Sequence, residues 1–375
     1  MKKLDYVDSL RGLAILSVIM VHTFLYGKLN PSGNIANILL SGSMGVQLFF
    51  LASAFTLYLS YKNRSTKEIF PVRNFFMRRF FRIAPMYYLG IGYYLFQNGF
   101  GARYWLGDET HITTSNIVSN FTFSHGFNPY WINSLVPGGW SIGVEMMFYV
   151  MLPFLFSKIK NINQAFIFFV GSLILHVFLY ELFIKFPLIK YERLWQEYLF
   201  FYFPSQLPVF MLGIILYFIV IEKESVRNIS GKWILLFSGL VLVHLASATK
   251  IILTNHVIFS IGFLILGYAL STFRFKFLVN PIINHIGKVS FSIYLVHFAI
   301  IYWLQRFNLL DYSQNSLLNY MTRFLVVVVL SVIVSTLLYN VIEIPFQNLG
   351  KYIIERWEKK STHLALAVNK PPTDN

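Results

Sequence analysis

The stretch Asp8–His22, DSLRGLAILSVIMVH, decides the fold. Arg11 and His22 bracket an uncharged and almost wholly apolar run. Such a run reads as part of a membrane span rather than as one stripe of a soluble amphipathic helix. At ~100° per residue the two side chains return to one helix face, ~16 Å apart along the axis. Ionisable groups inside a span are costly and mark function by default. Arg11 is either a snorkelling, orientation-setting arginine or an anion ligand. His22 is either a histidine satisfied inside a bundle or a general base, since imidazole needs no permanent buried charge.

The rest of the chain agrees with this span. Of 375 residues, 56% are hydrophobic and only 13% charged. Soluble domains carry about 25% charged residues. Ten spans are expected, at 6–27, 42–61, 79–97, 139–157, 164–182, 204–221, 232–249, 254–272, 286–305 and 322–343. Their apolar runs are continuous rather than alternating, which argues against transmembrane strands. No small-residue cleavage site follows the first run cleanly, so it reads as a retained span and not a signal peptide. With no cysteine, a disulfide framework and a thiolate site are both excluded.

The net charge of +15 raises the question of a nucleic-acid partner. Its distribution answers it. With the N-terminus inside, 23 of the 31 Lys and Arg residues fall in inner segments and 8 in outer ones. Basic residues favour the cytoplasmic side. The charge is therefore topology, and no nucleic acid is implied. The expected fold is all-α and polytopic, with about ten spans, both termini cytoplasmic, in the cytoplasmic (inner) membrane among lipids. The domain expected is 1–345, followed by a charged cytoplasmic tail, 346–375, that is partly disordered.

Two outer loops are long. The first, 98–138, carries Tyr104, Trp105, Phe121, Phe123, Tyr130 and Trp131. The second, 183–203, carries Tyr191, Trp195 and Tyr198. These aromatics read as an interfacial belt or as a platform for a sugar-containing substrate.

Further polar groups recur inside the spans. In NFFMRRFFRIAPMYYLG, Arg79 and Arg82 share a helix face at the inner end, as positive-inside decoration or as a phosphate clamp. In GGWSIGVEMMFYVMLPFLF, Trp140, Ser141 and Glu145 open a span, with Glu145 at a depth comparable to His22. Glu145 is a structural carboxylate or the partner that orients an imidazole. GKVSFSIYLVHFAIIY carries Ser290, Tyr294 and His297, and YNVIEIPF carries Glu343. His176 and His244 have no motif around them and read as core histidines. No ligand cluster at metal-binding spacing is seen, so no metal is expected.

Together these segments resemble the acyltransferase-3 family of integral membrane acyltransferases, from residue 4 to about 350. YVDSLRGLAILSVIMVH resembles its first-helix R-x10-H signature, carried by Arg11 and His22. RRFFRIAPMYY is similar to its R-x-x-R segment, with Arg79 and Arg82 in the matching positions. GGWSIGVEMMFY resembles its W-S-x-x-x-E block. IGKVSFSIYLVH and VIEIPF resemble its late motifs. Two positions depart: Ser53-Ala54 stands where Ser-Gly is usual, and Ile344 where a basic residue is common. Some relatives carry an appended SGNH hydrolase-like domain. The segment after 345 is too short for one.

The resemblance implies transfer of an acyl group, usually acetyl, from cytoplasmic acyl-CoA to a hydroxyl of an extracytoplasmic glycan. The acceptor would be a cell-surface polysaccharide or a lipid-linked oligosaccharide. On that reading acetyl-CoA is the donor substrate, and Arg11, Arg79 and Arg82 hold its phosphates. His22 is the base, and Glu145 orients it. Trp140, Ser141, Tyr294 and His297 support them. A transporter or flippase of a glycan intermediate, or succinyl in place of acetyl transfer, remain the alternatives.

Overall fold

The structure is a computed structural model that describes residues 4–107, 111–246, 251–273 and 275–368. Its helices in chain order are α1 Asp5–Tyr26, α2 Gly33–Leu40, α3 Gly45–Ser65, α4 Pro71–Asn98 and α5 Thr114–Phe121. They continue with α6 Gly139–Lys158, α7 Ile162–Lys185, α8 Glu192–Phe201, α9 Phe203–Val220 and α10 Gly231–Ala246. The last are α11 Asn255–Thr272, α12 Pro281–Lys288, α13 Ser290–Arg306, α14 Ser316–Leu338 and α15 Ile344–Val368. Among the described residues the only strand-like pairing is one isolated bridge, Gly101 to His111. Lipid leaves no partner for an open backbone, so helices are the economical solution.

Each expected span falls on a helix. Among the described residues, seven helices are long and apolar enough to cross a membrane, or eight when the bent α12–α13 pair counts as one. Two of the expected spans fall short of that measure. In α4, Arg82, four tyrosines, Gln97 and Asn98 dilute the apolar run. In α10 the described helix ends at Ala246, and residues 247–249 of the expected span lie outside the described residues.

Helix α1 runs through the middle of the bundle, against α3, α11, α12, α13 and α14. This central position explains why its polar residues matter: each meets protein, not lipid. Helices α12 and α13 meet at 79°. The bend lets α12 lie along the start of α1, where Ser9 Oγ donates to Asn284 Oδ1 at 2.6 Å. It also turns α13 toward the far half of α1. Gly287 closes the seam, since a Cβ built there would stand 1.8 Å from the Asp8 carbonyl oxygen. Gly287→Val is therefore expected to lower stability by about 1–3 kcal/mol or more. A fall in Tm of the detergent-solubilised protein checks this, and an unchanged Tm would contradict so close a seam.

The Ser53-Ala54 departure has a packing counterpart. Ala54 is fully buried against Gly213 of α9, where an added Cβ would lie 2.7 Å from the Ala54 Cβ. Close approach of these helices is kept because the glycine stands on the partner helix.

A π-helical turn, Tyr339–Glu343, joins α14 to α15. It brings buried Glu343 to Ser292, whose Oγ donates at 2.5 Å. The segment from 346 continues as helix to Val368, and the residues after 368, where the end of the expected tail falls, lie outside the described residues. This helix docks on the entry to α4. Glu358 accepts from the backbone N–H groups of Ile69 and Phe70 at 2.8 and 3.3 Å, and from Asn74 Nδ2 at 2.8 Å. These bonds fix the chain where it enters α4.

The aromatic loops divide. Trp195 and Tyr198 are buried in the bundle, whereas Tyr104, Phe121 and Tyr191 are exposed. His125, in the first loop, is wholly buried and its Nε2 bonds the Gly139 carbonyl at 3.0 Å. That contact ties the loop to the start of α6.

Candidate active site

A cleft opens among α1, α3, α4, α6 and α13. Arg11, Arg79 and Arg82 line it together with Glu145, Ser53, Thr56 and Tyr149. Arg11 stands in the first half of α1, where its Nη2 donates to Thr56 Oγ1 at 2.8 Å and its Nη1 lies 3.7 Å from Asp8 Oδ1. Arg79 reaches the cleft from α4, its guanidinium 5.9 Å from the centre of the Tyr149 ring. Arg79 Nε is buried with no hydrogen-bond partner. A buried donor left open on a guanidinium is a vacancy for an acceptor atom. Glu145 accepts from Ser53 Oγ at 2.5 Å. Three guanidiniums and one carboxylate in a partly enclosed cleft make it electropositive, as an anion-binding site requires.

The opposite part of the cleft is neutral. Ser141 Oγ lies 2.9 Å from the Tyr294 hydroxyl, which donates to the Gly138 carbonyl at 3.0 Å. Gly138 has φ 77°, a left-handed conformation, and a Cβ there would lie 2.6 Å from the Tyr294 oxygen. Glycine is thus needed twice over, for backbone and for space. Beyond Tyr294, its ring centre 6.0 Å away, is His297, and then His22.

The two histidines form a dyad whose proton positions follow from the bonds. His297 Nδ1 is 3.1 Å from the Ile293 carbonyl, which only accepts, so Nδ1 carries the hydrogen. In a neutral ring His297 Nε2 is then a lone pair. It lies 3.1 Å from His22 Nδ1, so His22 Nδ1 is the donor. This assignment makes His22 Nε2 the lone-pair nitrogen, with the Val18 carbonyl a further hydrogen-bond partner of the ring. The Phe298 ring stacks near both, at 4.4 Å from His22 and 4.2 Å from His297. His297 is fully buried and His22 only partly.

Of the residues singled out in the sequence, Arg11, Arg79, Arg82, Ser141, Glu145 and Tyr294 line one cleft. His22 and His297 stand behind Tyr294 and pair with each other. Trp140 packs instead on Phe50 and Phe201, with ring centres 5.8 and 4.4 Å away. The direct Glu145–His22 pair does not form, because Glu145 is taken by Ser53 and His22 by His297. Sequence reasoning missed Ser53, Thr56 and Tyr149. Their signals were present: Ser53 and Thr56 are three apart on an apolar helix, and Tyr149 is one turn past Glu145.

With this geometry in hand, the comparisons decide the family. The family model described as Acyltransferase domain, Acyl_transf_3, matches residues 4–340. The chain belongs to this acyltransferase family. It is also similar to proteins named "Putative O-acetyltransferase" in Staphylococcus aureus strains COL, MSSA476 and MRSA252. Each is 25% identical over 390 residues, covering 93% of this chain and 58% of the relative. The chain thus spans somewhat over half the length of these curated relatives. No solved structure matches it. Within the family-matched region lie all the cleft residues named above, and the His22–His297 dyad with them.

Proposed function

We propose that this acyltransferase-family chain is a membrane O-acetyltransferase, taking acetyl from acetyl-CoA on the cytoplasmic side and placing it on a hydroxyl of a surface glycan. The observation that carries this reading is the polarity of the site. Arg11, Arg79 and Arg82 stand toward one end, and the His22–His297 dyad toward the other. The 23-to-8 partition of basic residues supports a cytoplasmic assignment for the arginine end. The donor is an anion at its nucleotide end and neutral at its thioester, which matches the sequence of surfaces. The relatives' names support acetyl as the group moved.

The chemistry follows from the Nε2 lone pair. His22 Nε2 takes the proton of the acceptor hydroxyl as its oxygen attacks the thioester carbonyl carbon. The new C–O bond forms and the C–S bond breaks. The thiolate of CoA then takes the proton from the imidazolium. His297 Nε2 holds the His22 Nδ1 hydrogen throughout, and so stabilises the imidazolium while it exists.

The clamp is tested on the donor. Arg79→Ala with Arg82→Ala is expected to raise the acetyl-CoA KM about tenfold or more, the worth of one lost charge-assisted hydrogen bond. Acceptor KM is expected to stay put. Unchanged acetyl-CoA binding in the double variant removes both arginines from the donor site.

One observation favours a second assignment. The cleft is lined by Glu145 and not by His22. On that reading Glu145 receives the acceptor proton, and the dyad is structural. A dead Glu145→Gln beside a near-wild-type His22→Gln would select it.

A further inference from the structure

A second cavity, of about 210 Å³, lies where α7, α8, α9 and α11 meet. Its polar lining is His176, Tyr180, Gln196, Ser205, Thr254 and His256. It is set apart from the cleft by rings in contact, Phe200, Phe201 and Trp140, with centres 5.3 and 4.4 Å apart. By the order of the helices it stands at the His22 end of the bundle, away from the arginines.

His176 is the unexplained group. It is 2% exposed, and neither Nδ1 nor Nε2 has a hydrogen-bond partner. A buried imidazole with both nitrogens open costs stability and is rare without a ligand or water to meet it. Its neighbour is different. His256 Nε2 bonds the Ser205 carbonyl at 2.9 Å, and its Nδ1 is 3.0 Å from Thr254 Oγ1. Both His256 nitrogens are therefore engaged, and its ring centre stands 6.2 Å from that of His176.

These facts limit what fits. A metal would have to strip His256 of its bonds, and no group of three or more metal-ligating side chains exists among the described residues. Among the described residues the lining offers an anion no arginine or lysine. A neutral imidazole offers one donor and one acceptor. A sugar hydroxyl is both at once, and the Tyr180 and Phe200 rings supply apolar faces beside it.

We infer that this cavity is a subsite for a neutral, polyhydroxylated saccharide unit of the acceptor, with His176 as its buried hydrogen-bonding group. The inference rests on the glycan-acceptor reading above. Gln196, exposed at the mouth, makes a second polar contact. His176 acts here in binding and takes no part in the transfer.

The test uses the full chain in nanodiscs and, as probe, surface glycan purified from cells that make the protein. Glycan Kd, acceptor KM, donor KM and Tm are measured for His176→Phe, His176→Gln and Gln196→Leu. His176→Phe keeps a ring and removes both nitrogens. It is expected to raise Tm, weaken glycan binding at least tenfold, and leave donor KM unchanged. His176→Gln restores a donor and an acceptor, and is expected to recover most of the binding. Gln196→Leu, on the surface, weakens binding even if the buried variant fails to fold. If wild-type protein acetylates the glycan and the variants keep its Kd and acceptor KM, the cavity holds water alone and the subsite is wrong, while the proposed function stands. If the wild-type protein neither binds nor acetylates the glycan, the functional reading falls and the subsite with it.

Discussion

Replacing His22 by alanine is expected to lower the rate of acetyl transfer by about 10²–10⁴, the usual worth of a positioned general base. Donor binding is expected to survive, because the arginines stand in a different part of the site and bond to other elements. Arg11 bonds Thr56 of α3, and the cleft reaches only as far as Tyr294 before the dyad begins. The loss should thus appear in kcat, with acetyl-CoA KM little changed. His22 is partly exposed, and a smaller side chain leaves α1 seated on α3 and α12. Normal membrane levels and Tm would separate a chemical loss from a folding loss. Transfer at wild-type rate would take the base role away from His22.

The second large effect is expected at His297. It touches no substrate in the proposed mechanism and acts through His22. His297→Phe preserves a ring beside Phe298 but removes the acceptor of the His22 Nδ1 hydrogen. Two things are lost: the tautomer that leaves Nε2 its lone pair, and the bond to the imidazolium. A charge-assisted hydrogen bond of about 1.5–3 kcal/mol corresponds to a fall in kcat of roughly ten- to hundredfold. Both KM values should hold. The limb of the pH–rate profile that reports the base should move, which a purely structural defect would not do. His297→Gln supplies an oxygen that accepts the same hydrogen, so it should recover part of the rate. Equal losses in the Phe and Gln variants, with an unmoved profile, would make His297 a packing residue.

Much of this was legible in the sequence, for physical reasons. Apolar runs of span length fix helices because lipid offers the backbone no partner. That is why each expected span falls on a helix, even where α4 is too polar to pass as a span alone. Charges inside those runs had to meet protein, so Arg11, Arg79, Arg82 and Glu145 converged on one cleft. Partners across helices were not legible. Periodicity places a side chain on a face but does not say which helix faces it. Glu145 and His22 have similar depth, yet Ser53 and His297 take their bonds. The 79° bend between α12 and α13 could not be read from composition, and it is what carries His297 to α1. The tail is a similar case. Nothing in its sequence says that Glu358 holds the chain entering α4.

In the proposed mechanism one site joins a donor held at the arginine end to an acceptor met at the histidine end. Sided proteoliposomes test it most directly. Uniformly oriented protein is supplied with labelled acetyl-CoA only on the side of the arginine end, and with glycan only on the other. The account predicts labelled O-acetyl glycan on the far side, free CoA retained on the donor side, and neither product with His22→Ala. Transfer that occurs only when donor and glycan share one side, or glycan crossing the membrane without acetyl-CoA consumption, would contradict it.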